Sequence, residues 1–229
     1  MVTPHPEEPN YREFLDALSE SSREAFAAAC TERSLPANRL LFAQGEPHTD
    51  TFLVMDGLVR TYYLSPLGKE ITLAFWPCGG LIGGPDFFGP TPHIWSARTV
   101  KPTTVWSLPG ESLRALTRDD TGIAGAVMEV LGFKTHWISV LLQTFTTECV
   151  TDRLAHHLVR LGEMHGVEQE NGLAIEHAFT QQDLASMVGA TRQWVSMTLN
   201  QLQRAGLISL EGRTVIINDL EALRSFGRP

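Results

Sequence analysis

Cysteine is scarce in this chain of 229 residues: Cys30, Cys78 and Cys149 lie far apart, and no CxxC pair exists. That spacing excludes a zinc knuckle or an iron–sulfur cluster built on local cysteines. An odd number of separated cysteines suits buried free thiols. No apolar run reaches the roughly 18 residues that a membrane-spanning helix needs. The stretch from Met1 to Asn10 is polar, carries three prolines and lacks the apolar centre of an export signal. The expectation is a cytoplasmic protein with no membrane partner.

Positive charge is also short. Lysine and arginine number 18 against 26 aspartates and glutamates, for a net charge of −8. Such a balance argues against indiscriminate coating of nucleic acid. Enzyme signatures are absent too: there is no GxSxG, HExxH or Walker loop. The glycine-rich stretch Gly79 to Gly84 lacks the Lys-Ser/Thr of a nucleotide phosphate loop, and Asp16, Asp56 and Asp86 form no paired-carboxylate pattern. The expectation is not an enzyme.

What remains is ordinary globular material, 43% hydrophobic and 19% charged, long enough for two modest domains or one large one. Phe14, Leu15, Leu18 and Phe26 recur at helical spacing and predict one or two short helices that Pro36 stops. From Leu40 to Leu108 the pattern changes to short runs rich in β-branched and aromatic residues, punctuated by Gly45, Gly57, Gly68, Gly79 and Gly83. Many short strands with regular turn signals predict an antiparallel roll. A short helix is expected from Pro109 to Arg118, then a long one from Thr121. Along it Val127, Leu131, Lys134, Ile138, Leu141 and Phe145 recur at steps of three and four, a heptad-like stripe with one charged break. Pairing with a twin helix is the favoured reading, with a plain core helix as the alternative. Val150 to Glu163 predicts a further helix, and His165 to Ala178 a loop or a hairpin around Leu173 to Ile175.

The tail carries the sharpest signal. In FTQQDLASMVGATRQWVSMTLNQLQRAGLI, Thr180 is a good N-cap for a helix over Gln181 to Val188, which Gly189 ends. Thr191 caps a second helix from Arg192 to about Ala205, with Val195, Leu199 and Leu202 on its buried side. LISLEGRTVIIND follows as two strands about an Glu211–Gly212–Arg213 turn. Helix, glycine turn, helix and wing in this order predict a winged helix-turn-helix that binds double-stranded DNA. Arg192, Gln193, Ser196 and Met197 face away from the apolar seam and are the candidate base readers; Arg suits guanine and Gln suits adenine. Thr180, Gln181, Thr191 and Arg213 are candidate phosphate contacts. From Ala178 onward five arginines face four acids, so this end escapes the general acidity.

With these stretches in hand the chain resembles the Crp/Fnr regulator family over almost its whole length. LLFAQGEPHTDTFLVMDGLVRTYYLSPLGKEITLAFWPCGGLIGG is similar to that family's cyclic-nucleotide-type β-roll, and GLISLEGRTVIINDLEAL to its wing and closing segment. The resemblance implies a homodimer on a palindromic operator with half-sites about one helical turn apart. It also exposes departures. Members that bind cAMP carry a glutamate after GLIG and an arginine–serine pair further on; here Gly84 holds the first place and Trp95 precedes Ser96. Without those charge-assisted bonds no cAMP response is expected. The N-terminal cysteine cluster of the oxygen-sensing branch is absent. Gln193 and Met197 stand where many members have Glu and Arg, so a different half-site is expected.

The fold class expected is therefore α+β: an N-terminal antiparallel β-roll like a cyclic-nucleotide-binding jelly roll (residues 1–118), a dimerisation helix (119–149) and a C-terminal winged helix-turn-helix (150–229). For the sensor, an apolar and aromatic set stands out: Trp76, Leu81, Ile82, Phe87, Phe88 and Trp95, with Lys134 and Ile138 from the long helix. The resemblance is to members with an apolar or aromatic effector between roll and helix, and Lys134 would pair with a carboxylate or phenolate. The alternative is that the aromatics only fill a small core. Haem is the remaining sensor option, with His93, His136, Cys78 or Met128 as axial ligands; no residue set singles it out. An activator would add RNA polymerase as a partner. Two rival readings stay open: a ligand-binding module without DNA activity, and a constitutive DNA binder with a silent sensor.

Overall fold

A computed structural model describes residues 13–83, 91–169, 171–175, 180–212 and 214–226. They fall into two compact units, Met1–Pro66 with Leu73–Ser139 and Leu67–Thr72 with Val140–Pro229.

The first unit opens with α1 (Glu13–Asp16) and α2 (Glu20–Ala29). Ser19 caps α2 by accepting from the Ser22 backbone N–H. Here the structure corrects the sequence reading. The helix ends at Ala29, before Pro36, because Thr31–Leu35 is already strand β1, paired along its length with β8. Cross-strand partners far along the chain decide that segment, and helical spacing does not see them. The roll continues with β2 (Leu40–Phe42), β3 (Asp50–Asp56), β4 (Val59–Leu64), β5 (Glu70–Trp76), β6 (Leu81–Ile82), β7 (Ser96–Thr99) and β8 (Thr103–Pro109). These form two antiparallel four-stranded sheets, in the orders β1-β8-β3-β6 and β2-β7-β4-β5.

Phe42, Phe52, Val54, Val59, Trp76, Ile82, Ala97 and Val105 fill the interior of the roll. The first sheet is buried on its other face too. Leu53, Leu81 and Leu108 turn outward to meet Phe14, Leu18 and Phe26 of the N-terminal helices, and Leu113, Ile123, Ala126 and Val127 from α3 (Gly110–Asp119) and α4 (Thr121–Thr147). A strand covered on both faces loses its polar alternation, which explains the continuous apolar run in β3. Of the punctuating glycines, Gly57 shows the need most plainly. Its φ is +103°, and a Cβ there would lie 2.6 Å from the Thr103 Cα.

The second unit contains α5 (Val150–His165), a hairpin of β9 (Gly166–Gln169) and β10 (Gly172–Ile175), α6 (Gln181–Val188), α7 (Arg192–Arg204), β11 (Ile208–Glu211), β12 (Thr214–Ile217) and α8 (Leu220–Ser225). Its sheet runs β11-β12-β10-β9. Leu154, Leu158, Leu184, Val195, Leu199, Leu202, Ile208, Ile217 and Leu223 make one core. Among the described residues no helix is long and apolar enough to cross a membrane.

Candidate DNA interface and effector site

The DNA-reading candidates sit on α6, α7 and the hairpin β11–β12. Thr180 caps α6 through a reciprocal box: its hydroxyl accepts from the Asp183 N–H at 3.1 Å, and its own N–H donates to the Asp183 carboxylate at 2.9 Å. The Thr180 hydroxyl proton also goes to Asp183, at 2.6 Å. Thr180 therefore works first as a cap that fixes the start of α6. Gly189 takes the left-handed conformation, φ +70°, and turns the chain into α7. Thr191 caps α7 by accepting from the Trp194 N–H at 3.2 Å. The buried side of α7 is Val195, Thr198, Leu199 and Leu202; Arg192, Gln193 and Met197 are exposed and Ser196 is half-buried.

Thr180, Gln181 and Arg192 line one cleft of about 620 Å3, together with Gln182, Leu184, Leu199, Leu210, Gly212 and Val215. Three candidate DNA contacts, two from the start of α6 and one from α7, thus share a concave surface that the wing closes with Leu210, Gly212 and Val215. Gln182 was not singled out by the sequence. It belongs to the same first turn of α6 as Gln181, and the cap at Thr180 was the signal that pointed to both. Arg213 lies outside the described residues.

The effector candidates divide. Trp76 and Ile82 point into the roll interior, and the half-buried Trp95 packs against them. The Trp76 indole donates to the Thr61 hydroxyl at 3.0 Å. Lys134 reaches this group from α4. Its Nζ donates to the Gly83 carbonyl at 3.4 Å and stands 5.1 Å from the centre of the Trp76 ring. Burial pushes the Lys134 ammonium down to about 8, because the low-dielectric surroundings disfavour the charged form. Among the described residues no carboxylate pairs with it; a carbonyl and an aromatic face are what it has. Leu81 turns to the helical side of its sheet, and Ile138 is 57% exposed on the outward side of α4. Phe87 and Phe88 lie outside the described residues.

Two aromatic residues join the Lys134 group without having been expected. Phe133 packs edge-on to Trp76 with ring centres 6.5 Å apart, and the Trp137 indole donates to the Leu73 carbonyl at 2.8 Å. Their signal was available: 133, 134 and 137 share one helical face. The predicted stripe on α4 needs rotating accordingly. Val127 is buried and Lys134 turns inward, whereas Met128, Ile138 and Leu142 are the exposed large apolar residues of this helix.

The haem-ligand candidates do not form a set. His93 is buried with its ring stacked on Phe42 at 3.7 Å. The exposed Cys78 thiol donates to the Met55 carbonyl at 3.0 Å; the cysteines are free but not buried as expected, since Cys78 and Cys149 are exposed and Cys30 is half-buried. Met128 and His136 are both exposed on α4, eight residues and about 12 Å apart along its axis.

Comparison with known proteins agrees with this architecture. The family model for the cyclic nucleotide-binding domain matches residues 32–120, and that for the Crp-like helix-turn-helix domain matches residues 152–226. A CRP-like cAMP-activated global transcriptional regulator from Mycobacterium tuberculosis is 29% identical over 188 residues, covering 82% of this chain and 84% of that protein. An anaerobic regulatory protein from Bacillus subtilis is 25% identical over 219 residues, 91% of this chain and 89% of that one. Among solved structures, the c-di-GMP responsive global regulator CLP of Xanthomonas campestris matches with a TM-score of 0.80 at 22% identity, covering 88% of this chain and all of that one. A CooA mutant from Carboxydothermus hydrogenoformans gives 0.77 at 23% identity, over 96% of each chain. The curated relatives are regulators, not enzymes.

Proposed function

This chain belongs to the Crp/Fnr family of transcription regulators, and we propose that it acts as an effector-responsive homodimer on a palindromic operator. The observation that carries the reading is the cleft that gathers Thr180, Gln181 and Arg192 beside a recognition helix capped at Thr191. The first turn of α7 enters the major groove, where Arg192 reads guanine and Gln193 adenine. Thr180, Gln181, Thr191 and Arg213 hold the phosphates, and Ser196 and Met197 complete the surface facing the bases.

The second copy meets α4. Met128, Thr135, Ile138 and Leu142 recur at steps of seven, three and four along its exposed side, the spacing that a paired helix covers. Residues 1–118 form the sensor, 119–149 the pairing helix and 150–229 the reading head. The cytoplasm is the compartment that holds the operator. RNA polymerase becomes a partner if the protein activates.

The effector is a small molecule of apolar or aromatic body held at the wall of Trp76, Ile82, Trp95 and Lys134, with Phe87 and Phe88 assigned to the same wall by sequence. Lys134 would be the counter-charge for a carboxylate or phenolate on it. cAMP is not that effector: the relative from Mycobacterium tuberculosis is cAMP-activated by name, but here Gly84 and Trp95 stand where charge-assisted bonds to sugar and phosphate would be needed. Ligand binding shifts a population between two arrangements of the reading heads, and 1–3 kcal/mol of coupling would change operator affinity by roughly 5- to 150-fold.

The test is selection from random duplex DNA by the purified full chain. A palindrome with half-sites about one helical turn apart is expected, with affinity unchanged by cAMP. Arg192→Ala should lose about 1–3 kcal/mol of binding and relax one base position per half-site. If no duplex is retained at low salt, the DNA-binding reading fails. Equal weakening on all sequences would place Arg192 on phosphate instead.

A further inference from the structure

The outward face of α7 is polar with one exception. Gln193, Asn200, Gln201 and Arg204 are exposed there, and among them stands Met197, 61% exposed. The fold does not need it in that place: the core of this unit takes Val195, Leu199 and Leu202 from the opposite side of the helix. Gln193 and Met197 are one turn apart, about 6 Å along the axis, and are neighbours on the helix surface. A side chain beside Gln193 therefore faces the base pair that Gln193 reads or one within two steps of it.

Chemistry narrows what Met197 can recognise. A thioether has no donor and only a weak acceptor, so it cannot take the bidentate patterns of guanine or adenine or accept well from cytosine. The major groove presents one apolar group, the C5-methyl of thymine. Methionine is flexible and polarizable, and it covers such a methyl without strict geometry.

We propose that Met197 is a specificity-determining residue that reads a thymine methyl in each half-site, within two base steps of the adenine read by Gln193. The inference rests on the DNA-binding reading above and names one base that reading leaves open.

The experiment uses the full chain and the duplex it selects from random DNA, at one fixed salt concentration. Each thymine of the half-site is replaced in turn by deoxyuridine, which removes the methyl and keeps Watson–Crick pairing. One position per half-site should weaken binding by about four-fold, the fold-change expected for one methyl-sized group leaving an apolar contact. Met197→Ala should bind the thymine and deoxyuridine duplexes equally, and Met197→Leu should keep part of the preference. Because Met197 is exposed, the melting temperatures of both variants serve as the check that the head remains folded. The proposal is overturned if deoxyuridine is tolerated at every position, or if the loss is the same in Met197→Ala as in the parent. Failure to select any duplex overturns the DNA-binding reading itself and takes this inference with it.

Discussion

At the scale of single residues, burial explains most of what is unusual. His157 lies on the buried side of α5 with its Nε2 2.8 Å from the Met187 sulfur, and burial pushes its imidazole down to about 4. In the unfolded chain the same ring titrates near 6.5. Between these values the unfolded state binds more protons than the folded one, so stability rises with pH across this window and is lost as pH falls from about 6.5 toward 4. Going from pH 7.5 to pH 5 should therefore cost the reading head about 2 kcal/mol through this residue. His157→Leu should remove that part of the pH dependence, as read by hydrogen exchange of the α5 to α7 amides at the two pH values. An equal loss in parent and variant would show that carboxylates alone carry the acid sensitivity. Lys134 is legible by contrast as a charged break in an apolar stripe, and the structure turns it toward Trp76 and Gly83. Phe133 and Trp137 share that helical face with Lys134 and could have been read together with it, although an aromatic residue in a helix with two apolar faces does not by itself say which face it joins.

At the scale of elements, the caps and glycines translate most directly into structure. α6 begins after Thr180 and ends at Gly189, and α7 begins after Thr191, all where the sequence reading placed them. Local chemistry decides such boundaries. β1 was hidden because its pairing with β8 spans some seventy residues, and nothing local in TERSL announces a strand. α4 shows a different limit. It is apolar toward its own roll at Ile123, Ala126, Val127 and Phe133, and apolar again on the outside at Met128, Ile138 and Leu142. Two apolar faces blur the helical period, so the expected stripe fell on the border between them. The outer face supplies the element-scale prediction. In a two-fold dimer each of these residues meets its own copy or a near neighbour. Ile138→Asp and Leu142→Asp would set like charges against each other in a desolvated seam, at a cost of several kcal/mol. The dimer dissociation constant should rise at least about 100-fold, seen as a halved mass by light scattering with helix content by circular dichroism unchanged. A variant that remains dimeric would move the interface off this face.

For the whole molecule the question is how a chain of net charge −8 binds a polyanion. General attraction is not available, so the positive charge must be local and few in number. In the reading head Arg224 is tied to Glu163 and Glu221; of the other four arginines from Ala178 onward, Arg192 and Arg204 are exposed on α7, Arg213 is the wing candidate, and Arg228 comes after α8 in the sequence, in no DNA-reading element. Three such arginines in each of two protomers would neutralise at most about six phosphates, and the slope of log K against log salt should then be about −5. Threonine and glutamine contacts add position and hydrogen bonds but displace no counterions, so they leave the slope alone. Arg204→Gln should make it shallower by about 2 in the dimer, one phosphate per head, without altering which sequence is preferred. A measured slope much steeper than −5 would mean that lysines or arginines of the sensor unit also reach the DNA. A slope near zero would mean that binding rests on neutral contacts, and the arginines of the head would need another role.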